Sequence, residues 1–265
     1  MDLGDPTRAV TPTLDGPVLA VLARAPRPLT VGEVAARTVR GSEIGVRRCV
    51  ARLVGQGLVR STQMGRNAVL ELNREHIAAP IGELLAGLGD ELRRRIASAI
   101  SSWDPAPLRA ALLTPAAPAG AGPTGSGSGD LALWLVHAPL PGESSQAEAP
   151  GTGPADAVRA TSTSAGSAEP VASPLPPEVP EMTYEQERAW RAQVRCLQEA
   201  VRAWTGNRLL LVEMSTYEEA EHRRRGSRLL DELRSTGIEL IGPPLRDDPG
   251  PGAAPPVPRT PGSAR

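Results

Sequence analysis

The residues best placed to do chemistry are arginines. In Ser42–Gly57 (SEIGVRRCVARLVGQG) the apolar residues Val46, Cys49, Val50 and Leu53 recur at helical spacing. Turning them inward leaves Ile44, Arg47, Arg48, Ala51 and Arg52 on the outer face. A guanidinium can make two parallel hydrogen bonds to a guanine edge, a contact worth about 1–3 kcal/mol of discrimination against the wrong base. Ser42 can cap the helix, and the unpaired N–H groups of a helix start suit a phosphate. Just beyond lie Arg60, Arg66 and Asn67, within reach of backbone phosphates or a minor groove. The alternative for these arginines is a solvated helix face. All 29 basic residues are Arg and none is Lys, so an Arg here carries less meaning than it would elsewhere.

Other chemistries find few residues to use. Cys49 and Cys196 are far apart and lack a CxxC partner, which excludes a disulfide framework and a Cys-rich zinc site. His76, His137 and His222 are isolated and offer no histidine-built metal site. No GxSxG nucleophile motif occurs. The N-terminal MDLGDPTRAV lacks the basic lead and apolar run of a signal peptide, and no stretch reaches the roughly 18 apolar residues of a membrane span. The expectation is a soluble, cytoplasmic protein with no membrane partner.

Charge is uneven along the chain, although the net value is −1. Gly16 to Glu75 holds ten Arg and four Glu, a balance of +6, whereas Thr114 to Glu181 holds one Arg and seven acids, a balance of −6. Between 138 and 180, 31 of 43 residues are Ala, Gly, Pro, Ser or Thr. Such a segment has too little apolar surface to offset its ordering entropy, so it reads as a disordered insertion. The Pro-rich stretch 243–265 reads as a disordered tail.

The basic head has its own punctuation. Gly16-Pro17 opens a first helix that Pro26 and Pro28 end. Thr30, with Glu33 three residues on, forms a capping box for a second, and Gly41 breaks it. Ser42 starts the third, and Gly57 stops it. LVRSTQ and AVLELN, joined through Met64-Gly65-Arg66-Asn67, read as a β-hairpin. Three helices followed by a hairpin, from Leu14 to Asn73, resemble the winged helix-turn-helix of bacterial transcription regulators. SEIGVRR (42–48) and LVGQGLVR (53–60) carry the likeness. The resemblance implies that the third helix enters the DNA major groove with its N-terminal half.

A second unit follows, over 80–242. Its expected elements are a long helix from Pro80 to Trp103, strands at 108–113 and 130–136, and a helix from Tyr184 to Trp204. A strand at 208–214, two short helices and a last strand at 238–242 complete it. In the long helix Ile81, Leu84, Leu85, Leu88, Leu92, Ile96 and Ile100 form one apolar stripe. This order resembles the minimal nucleotidyltransferases of the DNA polymerase beta superfamily. That resemblance implies a Gly-Ser phosphate loop, an Asp-x-Asp pair and a third acid that together hold Mg²⁺. Here Thr114-Pro115 replaces Gly-Ser, Ala132 replaces the second Asp, and Asp130 and Glu213 remain as the remnant acids. One carboxylate cannot hold two metal ions, so the family's catalysis is expected to be lost.

The sequence therefore predicts an α+β protein. A winged helix-turn-helix at 14–79 precedes a degenerate nucleotidyltransferase-like domain at 80–242, interrupted by the insertion. Its expected function is transcription regulation through double-stranded DNA, without a cofactor, with the 80–103 helix as a candidate homodimer surface. The contact set is Ser42, Ile44, Arg47, Arg48, Arg52, Arg60, Arg66 and Asn67. The alternatives are a working metal-dependent nucleotidyltransferase, which alone calls for Mg²⁺ and a nucleotide, and an adaptor that keeps neither activity.

Overall fold

Side-chain caps fix where the second and third helices begin. The computed structural model describes residues 1–2, 4–113, 130–143 and 179–243. Helix α1 (Asp15–Arg24) precedes α2 (Val31–Arg37), where the Thr30 hydroxyl accepts from the Glu33 N–H at 3.3 Å and the Glu33 carboxylate accepts from the Thr30 N–H at 2.8 Å. Helix α3 (Glu43–Gly55) starts at Ser42, whose hydroxyl accepts from the Gly45 N–H at 3.1 Å. Each cap satisfies a donor that the first helical turn leaves without a partner.

Strands β2 (Val59–Met64) and β3 (Asn67–Leu72) pair as an antiparallel hairpin with Met64 opposite Asn67. The two-residue turn places Gly65 at φ 62°, a value glycine reaches without a Cβ clash. The short strand β1 (Leu29–Thr30) adds to β3, an element the sequence pattern does not announce, giving the order β1-β3-β2. Beneath lies a core of Val18, Leu22, Leu29, Val34, Val46, Val50, Leu53 and Leu70.

Helix α4 (Ala79–Ser101) runs out of this core into the next. Its first half corrects the expected stripe, since Ile81 and Leu84 are exposed, as is the preceding Ile77. The buried residues there are Ala79, Gly82, Leu85 and Ala86. A Cβ built on Gly82 would lie 3.6 Å from the Leu19 Cβ and 3.7 Å from the Leu19 carbonyl oxygen. A small-residue face lets α1 and α4 approach closely, and that contact outweighs burial of the bulkier face. The second half follows the expected pattern, with Leu92, Ile96 and Ile100 buried.

The second sheet has the order β6-β5-β4-β7, from β4 (Arg109–Leu113), β5 (Leu131–His137), β6 (Leu209–Ser215) and β7 (Ile238–Ile241). Strand β4 runs antiparallel to β5 and β7, whereas β5 and β6 are parallel. The β5–β6 crossover contains α5 (Tyr184–Thr205). One face carries Leu131, Leu133 and Leu135 under α4 and α5, with Trp190, Leu197 and Val201. The other carries Trp134, Val136 and Met214 against Leu230 and Leu233 of α7 (Arg228–Thr236). Burial on both faces explains the near-continuous apolar run of β5. Between β6 and α7, α6 (Thr216–Arg224) is tied to β4 by the buried Arg109–Glu219 pair at 2.7 Å.

The insertion expected over 138–180 begins and ends in packed chain. Ala138 and Leu140 pack on the core, and the Met182 N–H donates to the Pro139 carbonyl at 2.8 Å. Residues 144–178, the loop at 114–129 with Thr114-Pro115, and 244–265 lie outside the described residues. Among the described residues the class is α+β, with seven helices and two sheets, and no helix is long and apolar enough to cross a membrane.

Candidate nucleic-acid interface

The outer face of α3 forms because its inner face is apolar: Val46, Cys49, Val50 and Leu53 are all buried. Burial pushes the Cys49 thiol above its ordinary pKa, which lowers its thiolate fraction. Ile44 is 64% exposed, an uncovered large apolar side chain in the first turn of a capped helix. Arg47 reaches back to Glu43 at 3.0 Å, an exposed pair spaced i,i+4. Such pairs contribute only about 0.3–0.5 kcal/mol, so Arg47 can exchange Glu43 for a phosphate or base at small cost. Arg48 is exposed and has no ion-pair or hydrogen-bond partner among the described residues.

Arg52 is held differently. It pairs with Asp15 at the start of α1, a carboxylate that also accepts from the Cys49 thiol at 3.2 Å and from the Thr13 hydroxyl at 2.5 Å. The Arg52–Asp15 contact pins α3 to α1, giving Arg52 a structural task that periodicity does not reveal. On the wing, Arg60 pairs with Glu75 and lines a cleft of about 440 Å³ beside Arg27 and Arg74. Arg66 occupies the turn and has no ion pair among the described residues, and Asn67 opens β3 beside it. Ser42, Ile44, Arg47 and Arg48 thus share one capped helix start, Arg66 and Asn67 sit at the wing tip, and Arg52 and Arg60 are engaged within the protein.

Two arginines outside the expected set hold this unit in shape. Arg40 pairs with the buried Asp5 and donates to the carbonyls of Thr11, Pro12 and Thr13 at 2.8–3.0 Å. Arg27 pairs with Glu33 at 2.5 Å. That hydrogen bond, followed by those from the Thr30 N–H and hydroxyl, lowers the Glu33 carboxyl pKa to about 2. The capping-box spacing marked Glu33 in the sequence; nothing local marks Arg40.

The remnant acids are not brought together. Asp130 pairs with Arg208 at 2.9 Å, at the amino end of the parallel strands, where Leu131 lies opposite Leu209. Glu213 lies opposite Leu135 near the carboxyl end and accepts from the Trp190 indole N–H at 2.7 Å. At about 3.3 Å per residue the two sites are some 16 Å apart along the strands. Strand alternation also puts Asp130 on the face of Ala132, Trp134 and Val136, opposite the α5 face that Glu213 occupies. Among the described residues no group of three or more His, Cys, Asp or Glu is arranged to hold a metal ion.

No protein-family model and no curated protein matches the chain. Among solved structures, it is similar to human N-acetylserotonin methyltransferase in complex with SAM. That likeness covers 37% of this chain and 30% of that one, at 23% identity and a TM-score of 0.23, too slight to bear on fold or function.

Proposed function

We propose that this protein is a transcription regulator that binds double-stranded DNA through α3 and the β2–β3 wing. The observation that carries the reading is the start of α3. A Ser42-capped helix presents exposed Ile44, exchangeable Arg47 and Arg48, which is unpartnered among the described residues, side by side. These match the three demands of major-groove recognition: a donor for phosphate, an apolar contact for a thymine methyl and a guanidinium for guanine. Arg66 at the wing tip supplies the flanking charge. The protein acts as a homodimer, with Ile77, Ile81 and Leu84 as the dimer surface, since symmetric readers span two half-sites.

The second unit serves this regulator without nucleotidyl transfer, because Asp130 is neutralised by Arg208 and lies far from Glu213. Its location of action is the cytoplasm. Fluorescence anisotropy against duplex fragments from upstream of its own gene, across a salt series, tests the reading. Sequence-preferring binding that weakens steeply with salt is expected. Absence of binding to any duplex at low salt overturns it.

A further inference from the structure

The β2–β3 hairpin ends in an arm that stands clear of its core. Strand β1 pairs with β3 only at Val69 and Leu70, so the outermost pairs, Gln63–Ala68 and Met64–Asn67, are held by each other alone. Arg60 to Met64 are all exposed, as are Asn67 and Ala68. At the end of this arm Met64 is 62% exposed. Strand alternation explains why it stays uncovered. Val59, Leu70 and Leu72 turn to the core, which puts Met64, with Arg60 and Thr62, on the opposite face.

The chemistry around Met64 limits what can cover it. From Ser61 to Leu70 the chain holds one charged residue, Arg66, and no acid. Arg66 has no ion pair among the described residues. The other exposed polar groups are hydroxyls and amides, those of Ser61, Thr62, Gln63 and Asn67. One cation, neutral donors and no carboxylate suit a groove walled by phosphates, where a carboxylate would be repelled. The tip is also braced and narrow. The Gln63 amide donates to the Gly65 carbonyl at 2.9 Å, and Gly65, at φ 62°, turns the chain without a side chain of its own.

We infer that Met64 is a wedge: with Arg66 in the minor groove, its side chain enters between two base pairs and kinks the duplex. The inference rests on the DNA-binding reading and extends it to base pairs that α3 does not touch. Minor-groove proteins insert apolar side chains in this way and bend DNA by about 20–90°. An unbranched, flexible thioether adapts to a gap whose shape varies with the base step. Opening that gap costs little at pyrimidine–purine steps such as TA and more in stiff A-tracts. Met64 therefore selects a flexible step beside the α3 site without reading a base edge.

The test uses the full chain and duplexes of about 30 base pairs from upstream of its gene, short enough to stay straight unless kinked. Energy transfer between end labels reads the bend, and 2-aminopurine scanned through the duplex reads unstacking. Expected are a bend, unstacking at a discrete step, and binding about ten-fold weaker when that step is changed to AA. Met64→Leu keeps the bend and the preference. Met64→Gln, similar in length but polar, still binds and loses both. Arg66→Ala weakens binding and flattens its salt dependence. Wild-type binding without a bend, or a bend unchanged in Met64→Gln, overturns the wedge and leaves the α3 reading standing. A changed oligomeric state of Met64→Gln in sedimentation means that a second copy covers Met64, which also overturns the wedge. Absence of binding to any duplex overturns both.

Discussion

Asp130, just before β5, and Glu213, in the neighbouring parallel strand β6, face opposite sides of the sheet and lie near opposite ends of the pair. No rotamer change brings them to one metal. The full chain incubated with Mg²⁺ and labelled nucleoside triphosphates is therefore expected to transfer no nucleotide to itself, RNA or DNA. Asp130→Asn, which removes half of a surface ion pair, changes stability by less than about 1 kcal/mol in urea denaturation. Mg²⁺-dependent labelling that disappears in Asp130→Asn would falsify the inactive reading.

Arg48 and Arg52 are four residues apart on one helix and are expected to fail differently. Arg48→Ala leaves the melting temperature unchanged and weakens binding to a preferred duplex about ten-fold, as loss of a base or phosphate contact does. Arg52→Ala frees Asp15 and loosens α3 from α1, so it lowers the melting temperature first. Anisotropy and thermal denaturation on the same samples separate the two. Identical behaviour of the variants in both assays counts against the division of labour.

Arg40 neutralises Asp5, which is 4% exposed, while tying down three carbonyls of the N-terminal segment. Removing one member of a largely buried pair strands the other charge. Arg40→Ala is expected to cost about 3 kcal/mol in chemical denaturation. The double variant Arg40→Ala/Asp5→Asn recovers part of that loss, because no buried charge remains without its partner.

The Glu33 carboxyl is held at about 2 in the folded chain, against 4.5 for the free group, so the folded state binds fewer protons there than the unfolded state. Its contribution is complete above about pH 4.5 and disappears as the pH falls towards 2. Glu33→Gln is expected to be less stable than wild type at pH 7 and equal to it near pH 2. A pH series of urea midpoints measures this, and a gap that stays constant across the window contradicts it.

Gly82 tests the close approach of α1 and α4. A methyl group there meets Leu19 at ordinary van der Waals distance, so Gly82→Ala is expected to be neutral or to stabilise by up to about 1 kcal/mol through helix propensity. Gly82→Leu overpacks the contact and costs about 1–3 kcal/mol. Thermal melts of both variants decide it, and tolerance of leucine would mean the helices are not in contact.

Much of the fold could be read locally. Thr30-x-x-Glu33 and Ser42 announce two helix starts, the spacing of Val46, Cys49, Val50 and Leu53 sets the buried face of α3, and Gly65 marks the hairpin turn. These signals rest on steric limits and hydrogen bonds within a few residues, which sequence spacing encodes directly. The same periodicity misjudged the start of α4, because it ranks side chains by apolarity and cannot see that Gly82 lets another helix come close.

Partnership across the chain was settled only in three dimensions. Arg47, Arg48 and Arg52 look alike in the sequence, yet one is exchangeable, one unpartnered among the described residues and one bound to a carboxylate 37 residues away. Asp130 and Glu213 read as remnants of one site until strand register placed them apart. Local order follows from backbone geometry that each residue carries with it. Which charge meets which depends on how those elements pack, and that is decided by the three cores.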